Sequence, residues 1–187
     1  ATAAGARAEV DLSVERLFRF VGMADKCGGR APQPPARAVT LALHEPVGVV
    51  GIAPGEDAPL LGLISMLAPA LAMGNTVVAL PSTRAALVAT DLYEVIEYSD
   101  LPGGSINIVT GHTAELASVL AKHEDVDGLW LVADHESCKA AEADSVGNLK
   151  RMWTSNGRAV DWKSAEVADA FLRRAIEVKN VWVPYGD

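Results

Sequence analysis

The sequence predicts an α/β protein built around a mainly parallel sheet with helices on both of its faces. From residue 46 onward, short apolar runs alternate with helical segments, and the turns between them are short. The apolar runs are continuous, which is typical of strands that are covered on both faces. Parallel neighbours need a crossover between them, so this alternation favours a parallel sheet over an antiparallel one.

A helical arm is expected to precede the sheet and to occupy residues 1–37. Ser13 is a candidate N-cap for its helix, and Gly28 and Gly29 are the predicted end. Apolar side chains recur at helical spacing and predict a stripe that faces the core. The stripe consists of Val14, Leu17, Phe18 and Val21. A proline-rich connector and a first strand at 38–44 follow.

The central segment, residues 38–150, carries the alternation of strands and helices. After the first strand, its predicted strands are 47–53, 76–80, 105–109 and 128–132. Its predicted helices are 59–73, 85–98, 113–122 and 135–149. The remaining segment, 151–187, is expected to hold a polar, irregular connector at 151–162, a helix at 164–174 and a last strand at 176–184.

The composition is that of a globular protein and excludes several classes of function. The chain has 187 residues, of which 50% are hydrophobic, and its formal net charge is −8. A negative chain without clusters of Lys and Arg is a poor ligand for nucleic acid or for an acidic membrane. Two distant cysteines, Cys27 and Cys138, exclude a disulfide framework. The first residues lack the pattern of a signal peptide, so a cytoplasmic location is expected.

Other side chains that could carry chemistry are scattered along the chain. The four histidines have no spacing typical of a metal site. They are His44, His112, His123 and His135. Cys138 is interpreted as an inert thiol, because no His or Lys base motif lies near it. Trp153 and Trp162 favour a local core, and a partner-facing cluster is the alternative.

Four motifs resemble the coenzyme domain of the aldehyde dehydrogenase superfamily. They are HEPVGVVG at 44–51, LAPALAMGNTVV at 67–78, LPGGSINIVTG at 101–111 and HEDVD at 123–127. The resemblance implies a Rossmann-like fold with an N-terminal helical arm and a C-terminal β tail. A narrower resemblance is to the degenerate second domain of the two-domain aldehyde dehydrogenases, family 16. It rests on GNLKRMW at 147–153 and KNVWVPYG at 179–186.

The first βα turn departs from the pattern of active family members. Their turn reads Pro-Trp-Asn-Phe-Pro, and its Asn amide helps to hold the oxyanion formed when a cysteine attacks the aldehyde. Here the turn reads PGEDAP at 54–59, which lacks the Asn and adds negative charge at Glu56 and Asp57. Asp57 is interpreted as the N-cap of the helix that follows.

Two turns that hold the dinucleotide in the family also differ. The Lys-Pro-x-Glu turn, which holds the adenosine ribose, has Leu80 and Thr83 at the positions of its Lys and Glu. The Gly-Ser turn near the pyrophosphate reads Ala133-Asp134, and Asp134 is interpreted as a helix cap. We therefore expect no catalytic, cofactor-binding or metal-binding residue in this chain, although active members use NAD.

The resemblance further implies that the catalytic machinery is missing. Active members carry a nucleophilic cysteine and a general-base glutamate in a large segment beyond the nucleotide fold, and residues 149–178 are too few for that segment. The main hypothesis is a non-catalytic domain that serves in assembly or scaffolding. Its partner would be an aldehyde dehydrogenase catalytic domain, on the same chain or in a homo-oligomer. The alternative is a residual NAD(P)- or nucleotide-binding module of an active NAD-dependent aldehyde dehydrogenase.

The C-terminal strand is the predicted interface. In the family a strand at this position extends the sheet of a neighbouring subunit, and an unpaired strand edge favours such addition. The predicted interface residues are Val178, Lys179, Asn180, Val181, Trp182 and Val183. The alternative is a strand that pairs within its own chain.

Overall fold

A five-stranded parallel sheet forms the centre of the computed structural model, which describes residues 2–35 and 37–185. The strands are β1 (Ala38–Pro46), β2 (Val49–Ala53), β3 (Thr76–Ala79), β4 (Ile106–Ile108), β5 (Gly128–Leu131), β6 (Arg151–Thr154) and β7 (Ile176–Pro184). The helices are α1 (Ala3–Val21), α2 (Pro59–Ala72), α3 (Ala86–Glu97), α4 (Thr113–Lys122), α5 (His135–Asp144) and α6 (Ala165–Arg174). The sheet order is β4-β3-β2-β5-β6, and all four pairings are parallel. The predicted fold class is confirmed.

Helices cover both faces of the sheet. One face packs against α2, with α1, α3 and α6 around it, and the other packs against α4 and α5. Residues 61–70 of α2 are all buried, because this helix lies between the sheet and two further helices. Alternate side chains of a strand point to opposite faces, so Trp130 packs on the α2 side while Leu129 and Leu131 pack on the other.

An aromatic cluster holds α6 against the sheet. The ring of Phe171 lies 4.8 Å from that of Trp153, 5.1 Å from that of Trp130 and 6.1 Å from that of Trp162. Trp162 is buried and Trp153 is half-buried. The interpretation of Trp153 and Trp162 as a local core is therefore confirmed.

The N-terminal helix begins earlier than the sequence predicts. It begins at Ala3, where the hydroxyl of Thr2 accepts the N–H of Gly5 at 3.2 Å. It ends at Val21, seven residues before the predicted stop. Ser13 lies in the middle of the helix, so its prediction as the N-cap is wrong.

The same helix turns a different face to the core. Its buried residues are Ser13, Arg16 and Phe20. The predicted core stripe is instead 38–75% exposed, at Val14, Leu17, Phe18 and Val21. Arg16 donates to the backbone carbonyl oxygens of Trp162 at 3.1 Å and Lys163 at 3.3 Å. This bonding turns a polar face of the helix inward, which apolar periodicity alone does not reveal.

The sheet extends past the predicted end of the alternation. Residues 151–162 are predicted to be irregular, but the first four form β6, which pairs in parallel with β5. β6 is an edge strand and none of its side chains is fully buried, so it lacks the continuous apolar run of the inner strands. The division of the chain at residues 37 and 150 stays a prediction.

β1 and β7 form a separate antiparallel ribbon. They pair over their whole length, from Ala38 opposite Pro184 to Pro46 opposite Ile176. The bounds of β7 match the predicted last strand, 176–184, and the strand pairs within its own chain. Gly186, the last residue of the motif at 179–186, lies outside the described residues.

Candidate functional site

The carboxyl ends of β2 and β5 flank a cavity. The chain runs from β2 to β3 and β4 on one side and then returns to β5 on the other, so its direction changes between β2 and β5. Open parallel sheets bind their ligands at such a position. The cavity has a volume of about 440 Å³ and is lined by the loops that follow β2, β5 and β6 and by the start of α4.

Two glycines let the loops around this cavity approach each other. Gly55 has a φ of +82°, and a Cβ there would lie 3.0 Å from Cγ1 of Val132. Gly157 has a φ of +74°, and a Cβ there would lie 3.2 Å from the backbone N of His135. Side chains would crowd both contacts and strain both backbones, so glycine shapes this crevice.

The charge of the cavity is predominantly negative. Its charged lining residues are Glu56, Asp57, Asp134 and Arg158. The lining thus holds three carboxylates and one guanidinium, and a phosphate entering the cavity would meet more repulsion than attraction.

Glu56 is bound to the loop that follows β3. Its Oε1 accepts the N–H of Thr83 at 3.0 Å and the hydroxyl of Thr83 at 2.7 Å. Its Oε2 accepts the N–H of Arg84 at 3.2 Å and the hydroxyl of Ser82. The carboxylate therefore occupies four donors on the next strand's loop and does not project freely into the cavity.

These contacts favour the charged form of Glu56. Burial raises its pKa, but the hydrogen bonds from Ser82, Thr83 and Arg84 outweigh burial and lower the pKa to about 2. Glu56 is therefore ionised at neutral pH, where its negative charge is part of the crevice.

Asp134 caps α5, as the sequence predicts. Its carboxylate accepts the N–H and the hydroxyl of Ser137, each at 2.8 Å. These two hydrogen bonds lower the pKa of Asp134. The interpretation of Asp134 as a helix cap is confirmed, and the cap uses the N–H and the hydroxyl of Ser137 at the cavity wall.

Asp57 does not cap α2, so that prediction is wrong. The N-cap residue is Ala58, which has no side chain for the task, and Asp57 is exposed. Glu9 of α1 supplies the acceptor, since its Oε1 takes the N–H of Leu60 at 2.9 Å and that of Leu61 at 3.0 Å. The carboxylate thus comes from a distant part of the chain, and it accepts hydrogen bonds from N–H groups that no nearby side chain satisfies.

Leu80 and Thr83 lie where the resemblance puts the ribose contacts. Leu80 is buried in the core on the α4 side and carries no polar atom toward the crevice. The N–H and hydroxyl of Thr83 are both engaged by Glu56. Neither residue offers an unoccupied side-chain donor to a ligand.

The cysteines and histidines do not form a site within residues 2–35 and 37–185. Both cysteines are free thiols; Cys138 is buried, with its Sγ 3.5 Å from the carbonyl oxygen of Ala133, and Cys27 is half-buried. The described residues contain no group of three His, Cys, Asp or Glu side chains that could hold a metal ion. None of the described helices is long and apolar enough to cross a membrane.

The ribbon of β1 and β7 exposes apolar side chains. Six large apolar residues of the ribbon are 36–59% exposed: Val39, Leu41, Leu43, Val178, Trp182 and Val183. These residues lie on both faces of the ribbon, with Val39, Leu41, Leu43 and Val183 on one and Val178 and Trp182 on the other. A two-stranded ribbon is only marginally stable by itself, and exposed apolar side chains favour a covering partner. Five of the six predicted interface residues belong to this exposed set or lie directly opposite one of its β1 members; the exception is Asn180, which lies opposite Ala42.

One edge of β7 has no strand beside it among the described residues. On the far edge of β1, the N–H and C=O of Ala42 bond to Arg30, at 2.7 and 2.8 Å, and so point away from β7. Asn180 lies directly opposite Ala42. In an antiparallel pair the two residues of such a position point their backbone groups outward, so Asn180 directs its N–H and C=O to the open edge of β7.

A comparison with models of known protein families shows which family the chain belongs to. The model of the aldehyde dehydrogenase family matches residues 1–159. The chain belongs to the aldehyde dehydrogenase family.

Curated aldehyde dehydrogenases match most of this chain. A mitochondrial aldehyde dehydrogenase of Leishmania tarentolae is 36% identical over 182 residues, which are 94% of this chain and 35% of that protein. Human aldehyde dehydrogenase 1A1 is 33% identical over 173 residues, 92% of this chain and 34% of that protein. The chain therefore spans about a third of the length of these aldehyde dehydrogenases.

Solved structures share the fold. Betaine aldehyde dehydrogenase of Staphylococcus aureus, solved in complex with NAD+, superposes with a TM-score of 0.74 at 30% identity. The match covers 79% of this chain and 30% of that one. PnpE of Pseudomonas sp. WBC-3 gives a TM-score of 0.73 at 28% identity, over 78% of this chain and 30% of that one.

Sequence reasoning missed two contacts at this aldehyde dehydrogenase crevice. The bonds of Glu56 to residues 82–84 had a usable signal, because β2 and β3 are neighbours and their following loops carry an acid and two hydroxyls. The hydrogen bonds from Leu60 and Leu61 to Glu9 had no usable signal in the sequence, because 51 positions separate Glu9 from Leu60.

Proposed function

We propose that this chain is a non-catalytic aldehyde dehydrogenase domain that serves in the assembly of an active dehydrogenase. Its partner is an aldehyde dehydrogenase catalytic domain, carried on the same polypeptide or supplied by a homo-oligomer. Within the family, the motifs at 147–153 and 179–186 favour the degenerate second domain of family 16. The assembly is cytoplasmic in this proposal, and NAD belongs to the active partner.

The carboxylates of Glu56 and Asp134 support the first part of the proposal, that the crevice of this domain is not a cofactor site. Backbone N–H groups at a loop or helix start are the usual ligands of a dinucleotide phosphate. Here Asp134 accepts the N–H of Ser137 at the start of α5, and Glu56 accepts two N–H groups of the loop after β3. These contacts, together with the negative charge of both side chains, disfavour a dinucleotide phosphate at these two places.

The ribbon supports the second half. It combines an open backbone edge on β7 with exposed apolar side chains, among them Val178, Trp182 and Val183. An added strand would satisfy the backbone groups, and a covering domain would bury the side chains. Both features are those of an assembly element.

Calorimetry tests the proposal directly. The 187-residue chain is titrated with NAD and with NADP, and aldehyde oxidation is assayed through the absorbance of the reduced cofactor. We expect no binding heat and no turnover. Turnover by this chain alone would overturn the proposal. An intact aldehyde dehydrogenase assayed under the same conditions is the positive control.

A residual nucleotide-binding module is the second candidate. The cavity of about 440 Å³ at the switch between β2 and β5 favours it, because that volume lies within the range of small-molecule sites. Saturable NAD binding without turnover would select this candidate. Light scattering then separates the two, since only the assembly function requires the ribbon for association.

A further inference from the structure

Glu56 differs from an ordinary helix cap. Asp134 bonds to a residue three positions ahead in its own turn, as helix caps do. Glu56 instead reaches 26 to 28 positions along the chain to the loop of the neighbouring strand. The bound loop is not the start of α3, which begins at Ala86 with Ala85 as its N-cap. Glu56 thus links the loop that follows β2 to the loop that follows β3.

Four hydrogen-bond donors converge on the carboxylate of Glu56 and form a donor set suited to an anion. Two are the successive backbone N–H groups of Thr83 and Arg84, and two are the hydroxyls of Ser82 and Thr83. Successive N–H groups bind anions in many phosphate sites. Ser82 is 2% exposed, so without Glu56 its hydroxyl would be buried next to an empty space.

We infer that Glu56 is a specificity-determining residue that occupies this donor set as an internal anion and so excludes external oxyanions from the crevice. The inference rests on the proposed function, in which the crevice is not a cofactor site. Exclusion has two parts: the carboxylate fills the space between the loops, and its charge repels a second anion. Loss of the side chain would remove both.

Asp57 provides a matched control. It is the next residue, it lines the same cavity and it carries the same charge, yet it is exposed and does not cap α2. Asp57→Ala removes one negative charge from the crevice and leaves the donors of residues 82–84 engaged. Glu56→Ala removes one charge and also frees those donors.

The first experiment titrates inorganic phosphate into wild type, Glu56→Ala and Asp57→Ala and follows amide resonances by NMR at constant ionic strength. We expect phosphate to shift the Thr83 and Arg84 amides saturably in Glu56→Ala, with an affinity at least about 10-fold above any that the other two proteins show. Equal shifts in Asp57→Ala would overturn the inference, because charge alone would then explain them. If Glu56→Ala does not give a folded spectrum, Glu56→Ser replaces it.

The second experiment uses acetate as a substitute for the missing carboxylate. Acetate should raise the melting temperature of Glu56→Ala more than equimolar chloride does, and should not do so for wild type or Asp57→Ala. A folded Glu56→Ala that responds to neither phosphate nor acetate sinks the inference and leaves the proposed function standing. NAD binding by wild type sinks the proposed function instead, so the two failures are distinguishable.

Discussion

Glu9 and Leu60 are joined by a hydrogen bond of 2.9 Å that runs from the N–H of Leu60 to the carboxylate of Glu9. The bond links the N-terminal arm to the first turn of α2, the most buried helix of the protein. A carboxylate at this place satisfies N–H groups and lies at the positive end of the helix dipole. The arm therefore completes the core helix as well as covering it.

Glu9→Ala should lower the free energy of unfolding by about 1 kcal/mol, the usual effect of losing a helix cap. The N–H groups of Leu60 and Leu61 would lose their acceptor, while Ala58 offers no substitute. Urea unfolding followed by circular dichroism measures the change. Asp11→Ala, an exposed acid on the same helix, is the control, and an equal loss there would show that helix propensity and charge account for the effect.

Arg16→Met should destabilise the protein by about 1–3 kcal/mol. Its guanidinium is buried and donates to the carbonyl oxygens of Trp162 and Lys163, which would be left without this donor. Met keeps most of the aliphatic volume, so the polar contact is what changes. The control is Arg19→Met, which breaks the more exposed ion pair with Asp169 and should cost less than about 1 kcal/mol. Equal urea midpoints for the two variants would contradict the assigned role of Arg16.

The strands and helices of the sheet were predictable because their signals are local. Continuous apolar runs and short turns define β2, β3 and β5, and the predicted fold class is confirmed. The face of α1 was not predictable in this way. Its orientation depends on Arg16, which finds its acceptors 146 and 147 positions away. β6 was missed because an edge strand can be polar, so its composition resembles that of a loop.

At the candidate site, too, the local contact was predictable from the sequence and the long-range contacts were not. Asp134 caps a helix within its own turn, and this contact was predicted from the sequence. The cap on α2 was assigned to Asp57, the nearest acid, whereas the structure uses Glu9. Glu56 was recognised as a negative charge at the crevice, but its partners at residues 82–84 depend on the pairing of β2 with β3. Long-range geometry decides which acid meets which donor.

The stability contributed by Glu56 should decrease as the pH is lowered. Its pKa falls from an ordinary 4.5 to about 2 in the folded protein, so the folded state holds the proton less tightly than the unfolded state. The contribution is full above about pH 5 and declines as the pH falls toward 2. Glu56 is partly exposed, so we expect about 1–2 kcal/mol between wild type and Glu56→Gln at pH 7, and less at pH 3.

Urea unfolding of both proteins at pH 7, 5 and 3 measures this difference. Asp57→Asn is the control, because it removes a neighbouring charge without touching residues 82–84. A wild-type advantage that stays constant down to pH 3, or that grows on acidification, would contradict the assigned set of hydrogen bonds.

Two proline substitutions on β7 should separate assembly from folding. Asn180 points its N–H to the open edge, so Asn180→Pro removes a donor that only an added strand would use. Proline also favours an extended residue before it, which suits Lys179 in the strand. We expect Asn180→Pro to reduce association, measured by light scattering over a range of concentrations, while the urea midpoint stays close to that of wild type.

Val181 is the matched control because it lies one position further along and opposite Leu41. Its N–H points toward β1, so Val181→Pro breaks a hydrogen bond inside the ribbon and should lower stability by about 1–3 kcal/mol. Association that is lost in Val181→Pro but kept in Asn180→Pro would show that the ribbon acts through its folded shape and apolar side chains. That result would move the contact from the open edge of β7 to one of the ribbon's two faces, which expose Trp182 on one side and Val183 on the other.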